Sequence, residues 1–145
     1  MIRVGEFRSH HQPGVVRLHE RSHGDLAACV PAGFFNDVND VEASFAGGTF
    51  LVAEEDDGVV GMGGLTAQGE LIRMRVDAAH RRKGIALELL RCLIAEARQL
   101  GFERIFLHTL TEQTAARTLY LKAGFRECGS GEIHGNPVVA YEMDL

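Results

Sequence analysis

The sequence predicts an α/β layer fold with a mixed sheet, and three observations carry that expectation. Glu70-Leu71-Ile72-Arg73-Met74-Arg75-Val76 alternates, placing Ile72, Met74 and Val76 on one face with the period of a strand. Ile85, Leu89, Leu93 and Ala97 then recur every four residues, with Ala86, Leu90 and Ile94 beside them, and Gly101 stands past the end as a C-terminal cap. Upstream, Thr49 to Glu54 and Val59 to Leu65 flank Glu55-Asp56-Asp57-Gly58, a hairpin turn with Asp-Gly at its tip. Strands followed by a strand–helix–strand unit, a further helix and closing strands imply helices layered on a sheet.

The remaining elements follow in order. Met1 to Phe7 reads as a short strand, with Ile2 and Val4 apolar. His10 to Gly14 is a loop, and Pro13 starts a helix running to about His23, where Gly24 and Asp25 break it. Asp25 caps a second short helix through Val30, stopped by Pro31 and Gly33. Asn36-Asp37-Val38-Asn39-Asp40 is rich in capping residues, and Val41 to Phe45 forms one or two helical turns. Gly61, Gly63 and Gly64 leave room for a close neighbour. Gln68-Gly69 turns the chain into the strand at Glu70, Arg104 to Leu110 is the next strand, and Thr111 to Ala123 is a helix closed by Gly124. Gly129-Ser130-Gly131 breaks one strand from the last, Val138 to Leu145.

At 145 residues the chain is read as one domain, residues 1–145, large enough for a real core. With 46% hydrophobic and 24% charged residues it has the composition of a soluble globular protein. No apolar run reaches membrane-spanning length, and the N-terminus lacks the apolar core of a signal peptide. Cys29, Cys92 and Cys128 are odd in number and widely spaced, which predicts neither a disulfide framework nor a metal knuckle and favours a reducing, cytoplasmic setting. A net charge of −5 argues against nucleic acid as a partner. Arg73, Arg75, Arg81, Arg82 and Lys83 instead bracket a single turn, as a polyphosphate ligand would require.

That turn, Arg81-Arg82-Lys83-Gly84-Ile85-Ala86, joins a strand to a helix N-terminus. The first N–H groups of a helix have no internal partner and the macrodipole makes that end positive, so an anion is favoured there. Gly84 lets the backbone come close to the anion, and Ala86 keeps the approach clear. The turn has the form Arg-x-x-Gly-x-Ala, and Ala116-Arg117-Thr118-Leu119-Tyr120-Leu121-Lys122-Ala123-Gly124-Phe125 follows downstream. Together these stretches resemble the GCN5-related N-acetyltransferase (GNAT) family, from about Thr49 to Phe125.

The resemblance implies a mixed, mostly antiparallel central sheet flanked by helices, with acetyl-CoA as cosubstrate and no metal. It implies that Arg81, Arg82, Lys83, Gly84, Ile85 and Ala86 hold the pyrophosphate, and that Met74, Arg75 and Val76 bind the pantetheine arm through the backbone. Gln113 stands where many members have an asparagine that contacts the cofactor, so the longer amide has to take that role. Tyr120 takes the position facing the thioester sulfur; a phenol, with an ordinary pKa of about 10, is protonated at neutral pH and can donate to a thiolate. Glu70 matches a glutamate that acts as general base through water, and His108 is a second base candidate.

A competing signal lies at His19-Glu20-Arg21-Ser22-His23, a literal His-Glu-x-x-His, which on a helix could bind zinc with Glu20 as base. The segment is nearly all polar, is followed at once by Gly24, and lacks a clear third ligand, so it reads as a solvated helix end. His10, His11, His80 and His134 share no spacing. The expected activity is acetyl transfer from acetyl-CoA to a primary amine of a small molecule or peptide. A homodimer and a non-catalytic CoA-binding module are also compatible with the resemblance.

Overall fold

The structure is a computed structural model that describes residues 1–22 and 31–145. The short helix expected from Asp25 to Val30 lies outside the described residues, as do His23 and Cys29. Strand β1 (Arg3–Glu6) leads through a 3-10 turn into α1 (Gln12–Ser22), and the single turn α2 (Val41–Ser44) follows. Strands β2 (Thr49–Glu55), β3 (Gly58–Leu65) and β4 (Leu71–Val76) precede the long helix α3 (Ile85–Gln99). The chain finishes with β5 (Arg104–Leu110), α4 (Thr114–Ala123), β6 (Arg126–Ile133) and β7 (Asn136–Asp144).

The predicted α/β class is found, and the sheet is divided in two. Four strands are ordered β1-β2-β3-β4 and three are ordered β5-β7-β6, with antiparallel pairing throughout. Glu70 and Phe106 form a parallel bridge between β4 and β5, the two strands meeting there. Beyond it β4 and β5 diverge, and the wedge between them is the feature on which the rest of the molecule depends.

Two apolar clusters cover opposite faces of the first sheet. Val15, Leu18, Val41, Phe45, Phe50 and Met62 form one beneath α1 and α2. Leu89, Leu90, Leu93, Ile105, Leu107 and Tyr141 belong to the other, which carries α3 and continues beneath the second sheet. The glycines of β3 permit the close packing: a Cβ on Gly61 would sit 3.0 Å from both Ile85 and Leu89, and one on Gly63 would sit 2.9 Å from Leu93. No helix among the described residues is long and apolar enough to cross a membrane.

Several local expectations are corrected. The hairpin tip is Asp56-Asp57, both at positive φ (49° and 65°), while Gly58 already pairs with Glu55. A two-residue turn of this kind needs both central residues left-handed, which aspartate tolerates. The alternation of β4 is interrupted by a bulge: Met62 pairs with Arg75 but Gly64 with Ile72, and Arg73 takes φ 61°. Ile72 therefore packs with the α1 cluster, whereas Met74 and Val76 pack with the α3 cluster, so the three do not share a face. Gly129-Ser130-Gly131 breaks nothing; β6 is an exposed edge strand that tolerates glycine, and the chain reverses at His134-Gly135. His19 is buried at 6% exposure, its ring 4.7 Å from that of Phe35, and is not part of a solvated helix end. His10 and His11, neighbours in the chain, are joined by Glu54 of β2: their ligating atoms lie within 4.8 Å of one another. His11 is already engaged, its Nδ1 accepting from the Arg8 N–H at 2.8 Å and its Nε2 lying 2.8 Å from Glu54 Oε1.

Candidate active site

The wedge opens two adjoining cavities. The first, of about 260 Å³, is lined by Glu70, Arg75, His108, Gln113 and Tyr120, with Phe34 and Phe35 on one side. The second runs from Met74, Arg75 and Val76 to Arg81 and Ala86, and shares Gln113 and Tyr120 with the first. Met74, Arg75, Gln113, Ala116 and Tyr120 thus form the junction between them.

The second cavity ends at the basic turn. Asp77 fastens the entrance: its backbone N–H donates to Val60 O at 2.8 Å, and its carboxylate accepts from Arg21 at 2.9 Å and lies 2.8 Å from His80 Nδ1. These bonds, that to Arg21 foremost, hold the Asp77 carboxyl below its ordinary range. Gly84 is the N-cap of α3 with φ 79°, a left-handed conformation that suits glycine, and it has no side chain with which to cap the helix. An added Cβ at Gly84 would meet nothing within 4 Å. Among the described residues, the first N–H groups of this fifteen-residue helix, which have no intrahelical partner, therefore lie beside open space at its positive end, an arrangement that fits a pyrophosphate.

Along the wall of the wedge, β4 pairs with β3 on one edge only, and past Glu70 its other edge has no strand partner among the described residues. Backbone groups of this edge can therefore bond an extended amide-bearing chain such as pantetheine. Arg73 does not join the basic cluster as expected. It donates to both oxygens of Asp37 at 2.9 Å and to Phe34 O at 3.1 Å, and lies over the Phe34 and Phe35 rings. Its charge is neutralised, and the residue clamps the 34–37 segment onto β4.

At the junction, α4 brings Tyr120 to the wedge. Gly124, at φ 108°, ends the helix, and the Phe125 N–H returns to Tyr120 O at 3.0 Å, so the cap holds the turn that carries the tyrosine. The Tyr120 ring packs edge-on against Phe125 and tilted against Tyr141, and among the described residues nothing hydrogen-bonds its hydroxyl. Burial pushes the phenol up to about 12, with Arg75 pulling partly back. Gln113 precedes α4; its Oε1 accepts from the Thr109 hydroxyl at 2.9 Å, fixing the amide at the junction. Thr109 was not anticipated, although its bond to Gln113 is local, spanning the short turn from the end of β5 to the start of α4.

Glu70 and His108, read from sequence as rivals for one role, are neighbours. The parallel bridge at Phe106 brings the two strands together, leaving His108 Nδ1 3.4 Å from Glu70 Oε2, both about one-third exposed in the first cavity. The alternation of β5 holds as expected, with Ile105, Leu107 and Thr109 buried and His108 on the opposite face.

Comparisons with known proteins agree with this fold. A profile of the Acetyltransferase (GNAT) family matches residues 10–125. The chain is 36% identical over 105 residues to N-acetyltransferase 8 of Homo sapiens, covering 64% of this chain and 46% of that protein. It is 41% identical over 86 residues to the uncharacterized N-acetyltransferase YsnE of Bacillus subtilis, covering 55% of this chain and 57% of that one. The chain spans about half the length of the curated relatives it matches. In fold it superposes with TM-score 0.79 on yncA from Salmonella typhimurium, solved with its cofactor acetyl-CoA, at 19% identity and covering 99% of this chain and 94% of that one.

Proposed function

The chain belongs to the GNAT acetyltransferase family, and on that premise we propose that it moves an acetyl group from acetyl-CoA to a primary amine of a small molecule or peptide, by direct attack with both substrates bound. One observation carries this reading: the wedge joins a phosphate-type turn to a cavity holding a glutamate–histidine pair, with a buried phenol at the junction. A cytoplasmic setting and a homodimer accord with this reading.

Acetyl-CoA supplies an acyl thioester. Backbone N–H groups from Arg81 to Ala86 hold the pyrophosphate, with Arg81, Arg82 and Lys83 adding charge, and the free edge of Met74 to Val76 aligns the pantetheine arm. A backbone N–H of that edge polarises the carbonyl. Gln113, anchored by Thr109, contacts the same arm. Glu70, alone or with His108, accepts the proton of the incoming amine directly or through water, and Tyr120 donates to the leaving sulfur.

The experiment is paired. Calorimetry measures CoA and acetyl-CoA binding, and release of free thiol is followed against a panel of amines. Binding together with amine-dependent thiol release is the expected outcome. Binding without release for any amine would mark a non-catalytic CoA-binding module, and absence of CoA binding would remove the reading altogether.

A further inference from the structure

We propose that the acceptor amine also carries a carboxylate, and that the side chain of Arg75 binds this carboxylate in the cavity that holds Glu70 and His108. The inference rests on the acetyl-transfer reading above and names its substrate class. It starts from the bulge in β4. Two arginines leave the strand around it, and they meet different fates. Arg73 is neutralised by Asp37 in a two-point ion pair. Arg75 has no acidic partner within bonding distance among the described residues: one Nη donates to Met74 O at 3.1 Å, and the guanidinium lies 5.9 Å from the Phe35 ring centre.

Its Nε is buried with no hydrogen-bond partner. Burial, followed by the repulsion of Arg73, pulls Arg75 down to about 10, so it still carries its charge at neutral pH. A half-buried guanidinium whose Nε is buried and unbonded, with Asp37 acting on it only at a distance, is an unfavourable arrangement that an incoming anion relieves, and its planar fork matches a carboxylate. The other polar groups in the cavity wall fit the rest of an amino acid: Glu70 and His108 suit the ammonium, while Phe34 and Phe35 suit an apolar substituent. A volume of about 260 Å³ fits a small substrate of this kind.

The test compares acids with their primary amides, namely phenylalanine, leucine and 3-amino-3-phenylpropanoate, as acceptors for the wild type, Arg75→Gln and Arg75→Lys. A charge-assisted bond predicts that kcat/KM favours the acids by about 10- to 100-fold, chiefly through KM. Arg75→Gln should bring the ratio near one, and Arg75→Lys should restore part of it. Independently of turnover and of any variant, calorimetry on the CoA complex should find N-acetylphenylalanine binding about tenfold or more tighter than its amide. Amides that react and bind as well as acids would overturn the inference while leaving acetyl transfer intact. If Arg75→Gln instead raises the acetyl-CoA KM equally for every acceptor, the arginine serves the coenzyme and the inference fails. Loss of CoA binding in the wild type would take down the acetyl-transfer reading and this inference with it.

Discussion

Replacing Tyr120 by phenylalanine removes one hydroxyl and leaves the ring in its place against Phe125 and Tyr141. The magnitude follows from the site. With the phenol pushed up to about 12 by burial, well above an ordinary thiol at about 8.5, complete proton transfer to the sulfur is uphill by several kcal/mol, on the order of 5. Tyr120 therefore acts chiefly as a neutral hydrogen-bond donor to charge growing on the sulfur. A bond of that type is worth about 1.5–3 kcal/mol, so kcat should fall roughly 10- to 100-fold, with CoA affinity retained. The loss should shrink as pH rises toward about 8.5, where the leaving thiolate needs the proton less. A second readout uses linkage. The phenol is raised above its unfolded value of about 10, so its contribution to stability is complete below that pH and is lost as pH rises toward about 12. Alkaline melting of the variant should lack that component. The assay is kcat against pH for both proteins between about pH 6.5 and 9.5, with melting temperatures alongside. Unchanged kcat across the range, or a lower melting temperature with turnover per folded molecule intact, would refute the role of Tyr120 as donor.

Glu70→Gln and His108→Ala should each lower kcat/KM by about 10²- to 10⁴-fold if the pair accepts the amine proton, and the double variant should be little worse than the weaker single one; fully multiplicative losses would show two independent roles. Gly84→Ala meets open space and should cost only the strain of a left-handed alanine, about 1–2 kcal/mol, whereas Gly84→Glu adds a like charge and should abolish CoA binding. Calorimetry on the folded variants checks this, and normal binding by the glutamate variant would put the pyrophosphate elsewhere. Arg73→Ala leaves Asp37 and Phe34 O without their donors, and should cost about 1–3 kcal/mol, or roughly 3–10 °C of melting temperature, and raise the acceptor KM more than that of acetyl-CoA. An unchanged melting temperature would show that the clamp contributes nothing.

The sequence by itself determined whatever depends on neighbours along the chain. The amphipathic spacing of Ile85 to Ala97, the glycine before it and the glycine after Ala123 are local signals, because a helix and its caps are built from residues within a few positions of one another. The phosphate-type turn and the Tyr120 helix were legible for the same reason. What only the tertiary structure decided involves contacts between distant strands. The bulge at Arg73 depends on how β3 pairs with β4, and a one-residue slip exchanges faces, so no reading of the alternation alone could tell that Ile72 leaves the face of Met74 or that Arg73 and Arg75 separate. His19 was hidden among polar neighbours, though it shares the buried face of α1 with Val15 and Leu18 and packs on Phe35, sixteen positions along the chain. Glu70 and His108 are 38 residues apart and become a pair only because the bridge at Phe106 draws β4 and β5 together before they part. The parting itself, which exposes an unpaired strand edge and opens the cavity, is a property of two sheets joined, among the described residues, by one backbone bridge over a shared core, and it has no counterpart in the linear pattern of side chains.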